Sequence, residues 1–265
     1  MDDKDATGVS EAARLEARTA DHYDSHPFEF LTVDDEVGIE EWQPQPFRRF
    51  VASFLRPGHY IAEIGCGPGR GTLYLTRCGF AVVGVDISFA SLLLARRRAP
   101  AAAYVAATNL RLPLRDESFD AIVSDGVIHH TPDALLAFTE NVRVLKPGGH
   151  LYLACYNRHG YYYYAYSYFG VPIRWLAKRP WGRALVHASL LPIYYFVHLV
   201  KSGGKRTWRG ARHFFYDYLI TPRASFHSRG QIEDWCRVAG LSLLEYDPSL
   251  GNVHAFFLRK HGTSP

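Results

Sequence analysis

Cysteine and methionine are scarce in this sequence, and the cysteines stand far apart. The chain has 4 cysteines and 1 methionine among 265 residues. Cys66, Cys78, Cys155 and Cys236 do not form the closely spaced pairs that structural zinc sites use. Disulfide scaffolds are much denser in cysteine than this chain is. We therefore expect buried thiols in a reducing compartment, and no metal.

The chain also lacks an apolar leader and a long apolar run. Residues 1–16 are polar and acidic, unlike the apolar core of a secretory signal. The charge-free run 185–200 contains Pro192 and is shorter than the roughly 20 residues that a membrane-spanning helix needs. The sequence thus predicts a cytoplasmic protein, and it leaves open a peripheral position at the inner face of the membrane.

Acidic residues are almost missing from residues 158–230. This segment contains twelve Lys or Arg residues and a single acid, Asp217. Its formal charge is therefore +11, although the whole chain carries only +4. Such an uneven division of charge indicates an anionic partner for this segment.

Apolar strand patterns alternate with helical patterns along the rest of the chain. Strands are predicted at residues 59–64, 81–85, 103–106, 120–124 and 149–155, and two more at 241–246 and 253–259. Alternation of this kind favours a parallel sheet with helices on both faces. In such sheets, ligands bind at the carboxyl ends of the strands. Ligand-binding residues are therefore expected at the carboxyl ends of these strands.

The end of the first strand carries a glycine-rich turn. The stretch reads Ile-Ala-Glu-Ile-Gly-Cys-Gly-Pro-Gly-Arg-Gly from Ile61 to Gly71. Glycines in such a turn let the backbone approach a ligand closely. Arg70 stands where a dinucleotide fingerprint requires its third glycine. The Glu63 carboxylate would repel a pyrophosphate but suits a ligand with an ammonium group, such as S-adenosylmethionine.

An acid at the end of the second strand extends this pattern. Asp86 lies 21 residues after Gly65, where a carboxylate can accept both ribose hydroxyls. From here the chain resembles the class I S-adenosylmethionine-dependent methyltransferases of the small-molecule type. Further motifs carry the resemblance: Leu112-Pro113-Leu114, Ser118-Phe119-Asp120, His129-His130 and the segment Arg143–Gly149. It is strong from Ile61 to Tyr156 and weaker beyond Ser228.

The resemblance implies a fold and a domain plan. The fold is a doubly wound α/β structure with a mostly parallel, seven-stranded Rossmann-like sheet, an antiparallel last strand and a helical insertion after the fifth strand. Residues 1–44 would form an N-terminal arm that covers the cofactor, and residues 45–156 with 228–260 the domain that binds S-adenosylmethionine. Residues 157–227 would form an inserted lid or substrate subdomain.

The same resemblance assigns the cofactor site. Relatives have an Asp four residues before the Leu-Pro pair, where this chain has Thr108, so Thr108 and Asn109 both stay candidates for the adenine contact. Tyr23 either covers the cofactor or packs a helix on the core. The expected cofactor residues are Tyr23, Glu63, Gly65, Cys66, Gly67, Gly69, Asp86, Ile87, Thr108, Asn109, Leu110, Asp125, Gly126 and Val127.

Methyl transfer from S-adenosylmethionine requires few catalytic groups from the protein. The sulfonium is already a good leaving group, so a base is required only when the acceptor holds its proton at neutral pH. His129 and His130 follow the fourth strand and are the candidate bases. A structural hydrogen-bonding role is the competing interpretation for both.

The composition of the inserted segment indicates which kind of acceptor would be methylated. Its tyrosine-rich start, residues 161–169, suits an aromatic or prenylated acceptor, or forms a helix that packs across the sheet. The run 185–200 with its basic flanks suits an anionic membrane surface, a buried lid helix or a homodimer contact. The candidate substrate residues are Tyr161, Tyr164, His213, Asp217 and His227.

Three functions compete at this point. Methylation of a small, hydrophobic or aromatic acceptor fits the motifs best. Methylation of RNA through the basic segment, or of a membrane-associated lipid or quinone-like substrate, is the alternative. A nucleic-acid target is disfavoured because no recognised nucleic-acid-binding module is present. The third, a binding protein without turnover, conflicts with the intact motifs.

Overall fold

A computed structural model of the chain describes residues 11–25, 43–201, 203, 207–221, 223–249 and 251–262. These residues fall into two compact units. One is drawn from Met1–Gly160 and Arg223–Pro265, and the other is Tyr161–Pro222.

The first unit alternates strands and helices along the chain. Its helices are α1 (Glu11–Ser25), α2 (Gln45–Phe54), α3 (Arg70–Arg77), α4 (Phe89–Arg98), α5 (Ala134–Val144) and α10 (Arg229–Val238), with a 3-10 turn at Ile128–His130. Its strands are β1 (Tyr60–Ile64), β2 (Ala81–Asp86), β3 (Ala103–Ala106), β4 (Phe119–Asp125), β5 (Leu145–Tyr156), β6 (Leu241–Asp247) and β7 (Val253–Lys260).

These strands form one seven-stranded sheet in the order β3-β2-β1-β4-β5-β7-β6. β1 pairs in parallel with β2 and β4, and the order reverses at this point of the sheet. The last strand, β7, runs antiparallel to both β5 and β6. The doubly wound fold with an antiparallel last strand is therefore confirmed.

The sheet buries an apolar core on each face. Alternate residues of a strand point to opposite faces, so Ala62 belongs to the core that includes Phe138 of α5. Its neighbour Ile61 belongs to the other core, which includes Phe50 of α2. Because helices cover both faces of the sheet, ligands can reach it at the ends of its strands.

The second unit is helical. It contains α6 (Tyr161–Tyr164), a π-helical stretch (Ala165–Phe169), α7 (Gly170–Ala177), α8 (Pro180–Lys201), α9 (Trp208–Phe215) and a second π-helical stretch (Tyr216–Ile220). Its own small core contains Val186, Leu191, Phe215 and Tyr216. Among the helices that the structure describes, none has the length and apolarity needed to cross a membrane.

Arg143 of α5 ties down the loop that follows β3. Its guanidinium donates to Glu140, to Asp116 and to the backbone carbonyls of Leu112 and Leu114. Leu112 N–H in turn donates to Glu140 at 2.8 Å. This network holds the loop that carries the expected adenine contacts.

We expect Arg143→Ala to lower the free energy of unfolding by about 2–3 kcal/mol, because a partly buried carboxylate and two carbonyls lose a charged donor. Arg237→Ala is the control, since the Arg237–Asp234 pair is exposed and its loss should cost about 0.5 kcal/mol or less. Urea denaturation measures both changes. Equal effects would contradict a structural role for Arg143.

Candidate functional site

The turn after β1 depends on glycine. Gly65, Gly67 and Gly69 have φ values of +73°, +51° and +79°, which side-chain-bearing residues rarely adopt. A Cβ at Gly65 would lie 2.2 Å from Cγ2 of Val127, whereas a Cβ at Gly67 would meet no atom within 4 Å. The turn therefore packs tightly on the loop after β4 and is open at Gly67, where a ligand can approach the backbone.

Three carboxyl groups lie at the ends of β1, β2 and β4. Burial and the neighbouring acids raise the pKa of Glu63 to about 8, although its hydrogen bond from the Thr72 hydroxyl opposes the shift. Burial also raises the pKa of Asp86 and of Asp125, and Arg70 opposes the shift at Asp125. The ionised form of this group is unfavourable without a cation, so the site is suited to a positively charged ligand.

Asp86 holds the glycine turn directly. Its Oδ2 accepts from Gly67 N–H at 2.8 Å, and its Oδ1 accepts from Ser88 N–H at 2.8 Å. Each carboxylate oxygen has a further lone pair. Asp86 can thus order the turn and still accept ligand hydroxyls, while Ile87 lies half-buried beside it.

The loop after β3 contains an unsatisfied amide. The Asn109 side chain is 7% exposed, and within the described part of the chain neither its Oδ1 nor its Nδ2 has a hydrogen-bond partner. Thr108, in contrast, donates to Glu16 and accepts from Leu110 N–H at 3.2 Å. A buried amide without partners is costly, so Asn109 is the better-placed group for a polar ligand.

Helix α1 contacts three of the strand ends. Besides the bond between Glu16 and Thr108, Asp24 Oδ1 accepts from the Ser88 hydroxyl at 2.6 Å and from Ala90 N–H at 3.1 Å. The Tyr23 ring lies edge-on to the His130 ring with centroids 6.0 Å apart. Of the α1 residues that make these contacts, the sequence predicts only Tyr23 at the cofactor site, and the contacts of Glu16 and Asp24 are not predicted by it.

A sequence signal for this helix was present. Glu16, Thr19 and Tyr23 are spaced by three and four residues, which places them on one helix face. A polar face of this kind on an otherwise solvated arm indicates docking against polar groups. Thr19 is buried in the structure.

The two adjacent histidines differ in their hydrogen bonds. His129 Nδ1 accepts from Tyr156 N–H at 3.2 Å, so the neutral ring carries its proton on Nε2. Burial and three nearby histidines hold the pKa of His129 well below its usual range. In this tautomer His129 has no lone pair left to act as a base.

His130 has the opposite arrangement. Its Nδ1 lies 2.9 Å from the Arg223 carbonyl oxygen, which can only accept, so Nδ1 carries the proton. The Nε2 lone pair of the neutral ring remains available as a proton acceptor. Of the two candidate bases, only His130 has a hydrogen bond that places the Nε2 lone pair on its neutral tautomer.

The predicted acceptor residues belong to two different units of the structure. His227 is buried in the sheet unit, and its ring nitrogens lie 2.9 Å from Ser225 Oγ and 3.3 Å from Gln231 Oε1. Tyr161 and Tyr164 are exposed in the helical unit. The side chains of His213 and Asp217 lie outside what the structure describes.

A metal site would require several His, Cys, Asp or Glu side chains that lie close together. Among the described residues, no group of three or more His, Cys, Asp or Glu side chains is arranged to hold a metal ion. Cys66 is buried in the turn, and burial raises the pKa of its thiol well above the usual range. The Cys66 thiol is therefore protonated and neutral at physiological pH.

A family model described as a methyltransferase domain matches residues 62–153. The match begins in β1 and ends in β5, and so includes the glycine turn, Asp86, Asn109 and both histidines. This part of the chain thus matches a methyltransferase domain. Together with the strand order, it confirms the resemblance to class I S-adenosylmethionine-dependent methyltransferases.

Curated relatives match over about a third of the chain. A human protein named probable tRNA methyltransferase 9B is 44% identical over 100 residues, which are 36% of this chain and 21% of the relative. A demethylmenaquinone methyltransferase of Beutenbergia cavernae is 34% identical over 99 residues, which are 37% of this chain and 41% of the relative. The chain thus spans less than half the length of these two relatives.

Solved structures share the fold over nearly the whole chain. Magnesium protoporphyrin IX methyltransferase from Synechocystis PCC 6803, with bound S-adenosylmethionine, aligns with a TM-score of 0.59 and 14% identity. The alignment covers 95% of this chain and 100% of that chain. At this identity the likeness concerns the fold.

Gly65→Ala should damage the turn more than its backbone angle alone would. The added methyl group would collide with Val127, while Gly79→Ala, at φ +86° with no atom within 4 Å, adds the left-handed strain without a collision. We expect a loss of about 1–2 kcal/mol for Gly79→Ala and a clearly larger loss for Gly65→Ala. Urea denaturation tests this, and equal losses would contradict the close packing.

The stability of the ligand-free protein should depend on the ionisation of Glu63. Between the ordinary pKa of 4.5 and about 8, the folded chain keeps a proton that the unfolded chain has lost. The free energy of unfolding therefore falls as the pH rises through this window. Glu63→Gln keeps a neutral side chain at all pH values and should reduce this slope.

Unfolding in urea at several pH values between about 5 and about 9 measures the slope. Asp234→Asn is the control, because Asp234 is exposed on α10 and its loss should leave the slope unchanged. The same slope in wild type and Glu63→Gln would show that Glu63 is ionised in the fold.

Proposed function

We propose that this chain, through its methyltransferase domain, transfers a methyl group from S-adenosylmethionine to a small, hydrophobic or aromatic acceptor. The observation that carries the proposal is the group of three carboxyls around the glycine turn, of which Glu63 is buried and Asp86 and Asp125 are half-buried. Burial raises the pKa of Glu63, Asp86 and Asp125, and a ligand with an ammonium and a sulfonium charge would relieve this cost. Bound in this place, the cofactor supplies an electrophilic methyl group.

Each part of the cofactor has a matching group in the chain. The open backbone at Gly67 and the Glu63–Thr72 pair would receive the methionine end, with residues 125–127 passing beneath it. Asp86 would accept the ribose hydroxyls through its remaining lone pairs. Tyr23 on α1 would cover the bound cofactor.

The adenine contact is best supported for Asn109. Its amide offers one acceptor and one donor side by side, which is the pattern that complements the amino group and a ring nitrogen of adenine. Both amide atoms are buried and lack partners in the described residues. Thr108 is engaged by Glu16, so we assign it to holding α1 and not to the adenine.

His130 is the proposed base for an acceptor that is protonated at neutral pH. The Arg223 carbonyl fixes its Nδ1–H, so Nε2 can take a proton from an acceptor hydroxyl or amine as the new bond to carbon forms. His129 would act through its backbone and ring to hold β5 and the segment at Ser225. For a thiolate, a carbanion or another ready nucleophile, alignment alone suffices.

We assign acceptor recognition to the inserted segment 157–227. Its ends connect to the carboxyl edge of the sheet, where Asn157 and His227 form a bridge next to β5. The names of two similar proteins, a demethylmenaquinone and a magnesium protoporphyrin IX methyltransferase, describe large, mainly apolar ring systems. An acceptor of that kind, dissolved in or delivered from a membrane, fits the aromatic composition of the insertion.

Methylation of tRNA is the second candidate, because the human relative bears that name and the insertion is strongly basic. The two functions predict different substrates for one cofactor site. A panel containing a demethylated naphthoquinol and bulk tRNA, each with labelled S-adenosylmethionine, separates them. Label in the lipid extract supports the first function, and label in the RNA replaces it with the second.

Two substitutions test the division between binding and chemistry. We expect Asp86→Ala to weaken the affinity for S-adenosylhomocysteine by about tenfold or more, because hydrogen bonds to a charged group are lost. His130→Gln should keep that affinity and lower kcat by about a hundredfold or more. Calorimetry and initial rates measure these changes.

The control is His261→Gln, since His261 is exposed at the end of β7 and should leave both properties unchanged. Unaltered affinity in Asp86→Ala would remove the cofactor assignment. Unaltered kcat in His130→Gln would leave a reaction that runs on alignment alone.

A further inference from the structure

The helical unit exposes large apolar side chains on two helix faces. The first face runs along α6, the π-helical stretch and α7, with Tyr161, Tyr164, Tyr168, Val171 and Trp175 spaced by three or four residues. Tyr168 is 64% exposed and Trp175 is 56% exposed. The rings of Tyr164 and Tyr168 stack with centroids 6.3 Å apart, so these residues share one side of the helix.

The second face belongs to α8. Its exposed apolar residues are Trp181, Leu185, Ile193, Phe196 and Val200, again at helical spacing. Phe196 is 66% exposed. The polar side expected of a surface helix is therefore replaced here by a second apolar side.

Both helices already bury another face. Ile173 and Leu176 of α7, and Val186 and Leu191 of α8, form the core of the unit. The exposed faces are thus additional to the apolar surface that folding of the unit requires. Exposed large apolar side chains that repeat along a helix face mark an interaction site.

Cations accompany these faces. Lys178 and Arg179 are exposed in the connection between α7 and α8, and the Arg179 guanidinium lies 4.1 Å from the centroid of the Trp175 ring. Arg183 follows in the first turn of α8. Because Asp217 is the single acid among residues 158–230, the sequence offers these cations hardly any partner of its own.

We infer that these two faces, with Lys178 and Arg179 between them, dock onto the surface of an anionic lipid bilayer. Tryptophan and tyrosine beside basic residues are the composition of helices that lie in the plane of the interface. The bilayer would receive the apolar side chains, and its headgroups would receive the cations. The described helices lack the length and apolarity to span it.

A second copy of the chain fits this surface less well. Face-to-face association would bring together two segments that each carry +11, which is electrostatically unfavourable. RNA would satisfy the cations, but it offers nothing to aliphatic side chains such as Leu185, Ile193 and Val200. An anionic bilayer satisfies both properties of the surface.

Docking would place the enzyme where an apolar acceptor is dissolved. This link to the acceptor rests on the proposed methyltransferase function, whereas the docking surface itself is independent of it. Vesicle binding without cofactor therefore tests the surface, and calorimetry with S-adenosylhomocysteine tests the function. Either one can fail while the other holds.

Flotation with vesicles is the experiment. We expect the full chain to float with vesicles of phosphatidylcholine mixed with phosphatidylglycerol, to float much less with phosphatidylcholine alone, and to lose binding as salt is raised. The double variant Trp181→Ser with Phe196→Ser, and the double variant Lys178→Glu with Arg179→Glu, should each weaken binding by about tenfold or more.

Matched controls lie in the sheet unit. Val238→Ser removes a side chain that is 87% exposed, and Arg96→Glu with Arg97→Glu reverses two exposed cations of α4. Both should bind as wild type does, and urea midpoints verify that every variant is folded. Wild-type protein that stays in the unfloated fraction would overturn the inference.

Two further outcomes would also overturn it. A dimer by sedimentation that the Trp181→Ser and Phe196→Ser variant dissociates would assign the face to a second copy. Retention of tRNA that depends on Lys178 and Arg179, without vesicle binding, would assign it to RNA.

Discussion

The placing of three carboxyl groups at one edge of the sheet is the constraint on which the site depends. Glu63, Asp86 and Asp125 are placed together because β1, β2 and β4 are neighbouring parallel strands whose carboxyl ends meet. Glu63 is buried and the other two are half-buried, so the loss of water around them makes the ionised forms costly until a cation arrives. The glycine turn, the Thr72 hydroxyl and the Ser88 N–H group all serve to keep these acids in place.

Hydrogen bonds from outside the sheet core decide what the polar groups can do. Two histidines that are adjacent in the sequence receive different tautomers, because one faces a backbone N–H group and the other faces a backbone carbonyl. Helix α1 reaches the same edge through Glu16, Tyr23 and Asp24. The domain therefore combines a rigid sheet edge with a helical cover that contacts it through polar bonds.

The insertion adds a different kind of chemistry. Its helices have a modest core of their own, two exposed apolar faces and a large excess of basic over acidic residues. In the proposed function, the sheet unit would bind the cofactor and the segment attached at the end of β5 would recognise the acceptor. This division is consistent with a family model that matches residues 62–153 and ends before the insertion.

The sequence by itself determined the strand ends, the glycine turn and the acids at Glu63 and Asp86, because these depend on local backbone preference and on the alternation of apolar runs. It could not distinguish Thr108 from Asn109, since the difference arises from Glu16, which is remote in the chain. The tautomer of His130 and the two exposed faces of the insertion were likewise decided by tertiary structure, because each depends on which groups distant in the sequence lie next to a side chain.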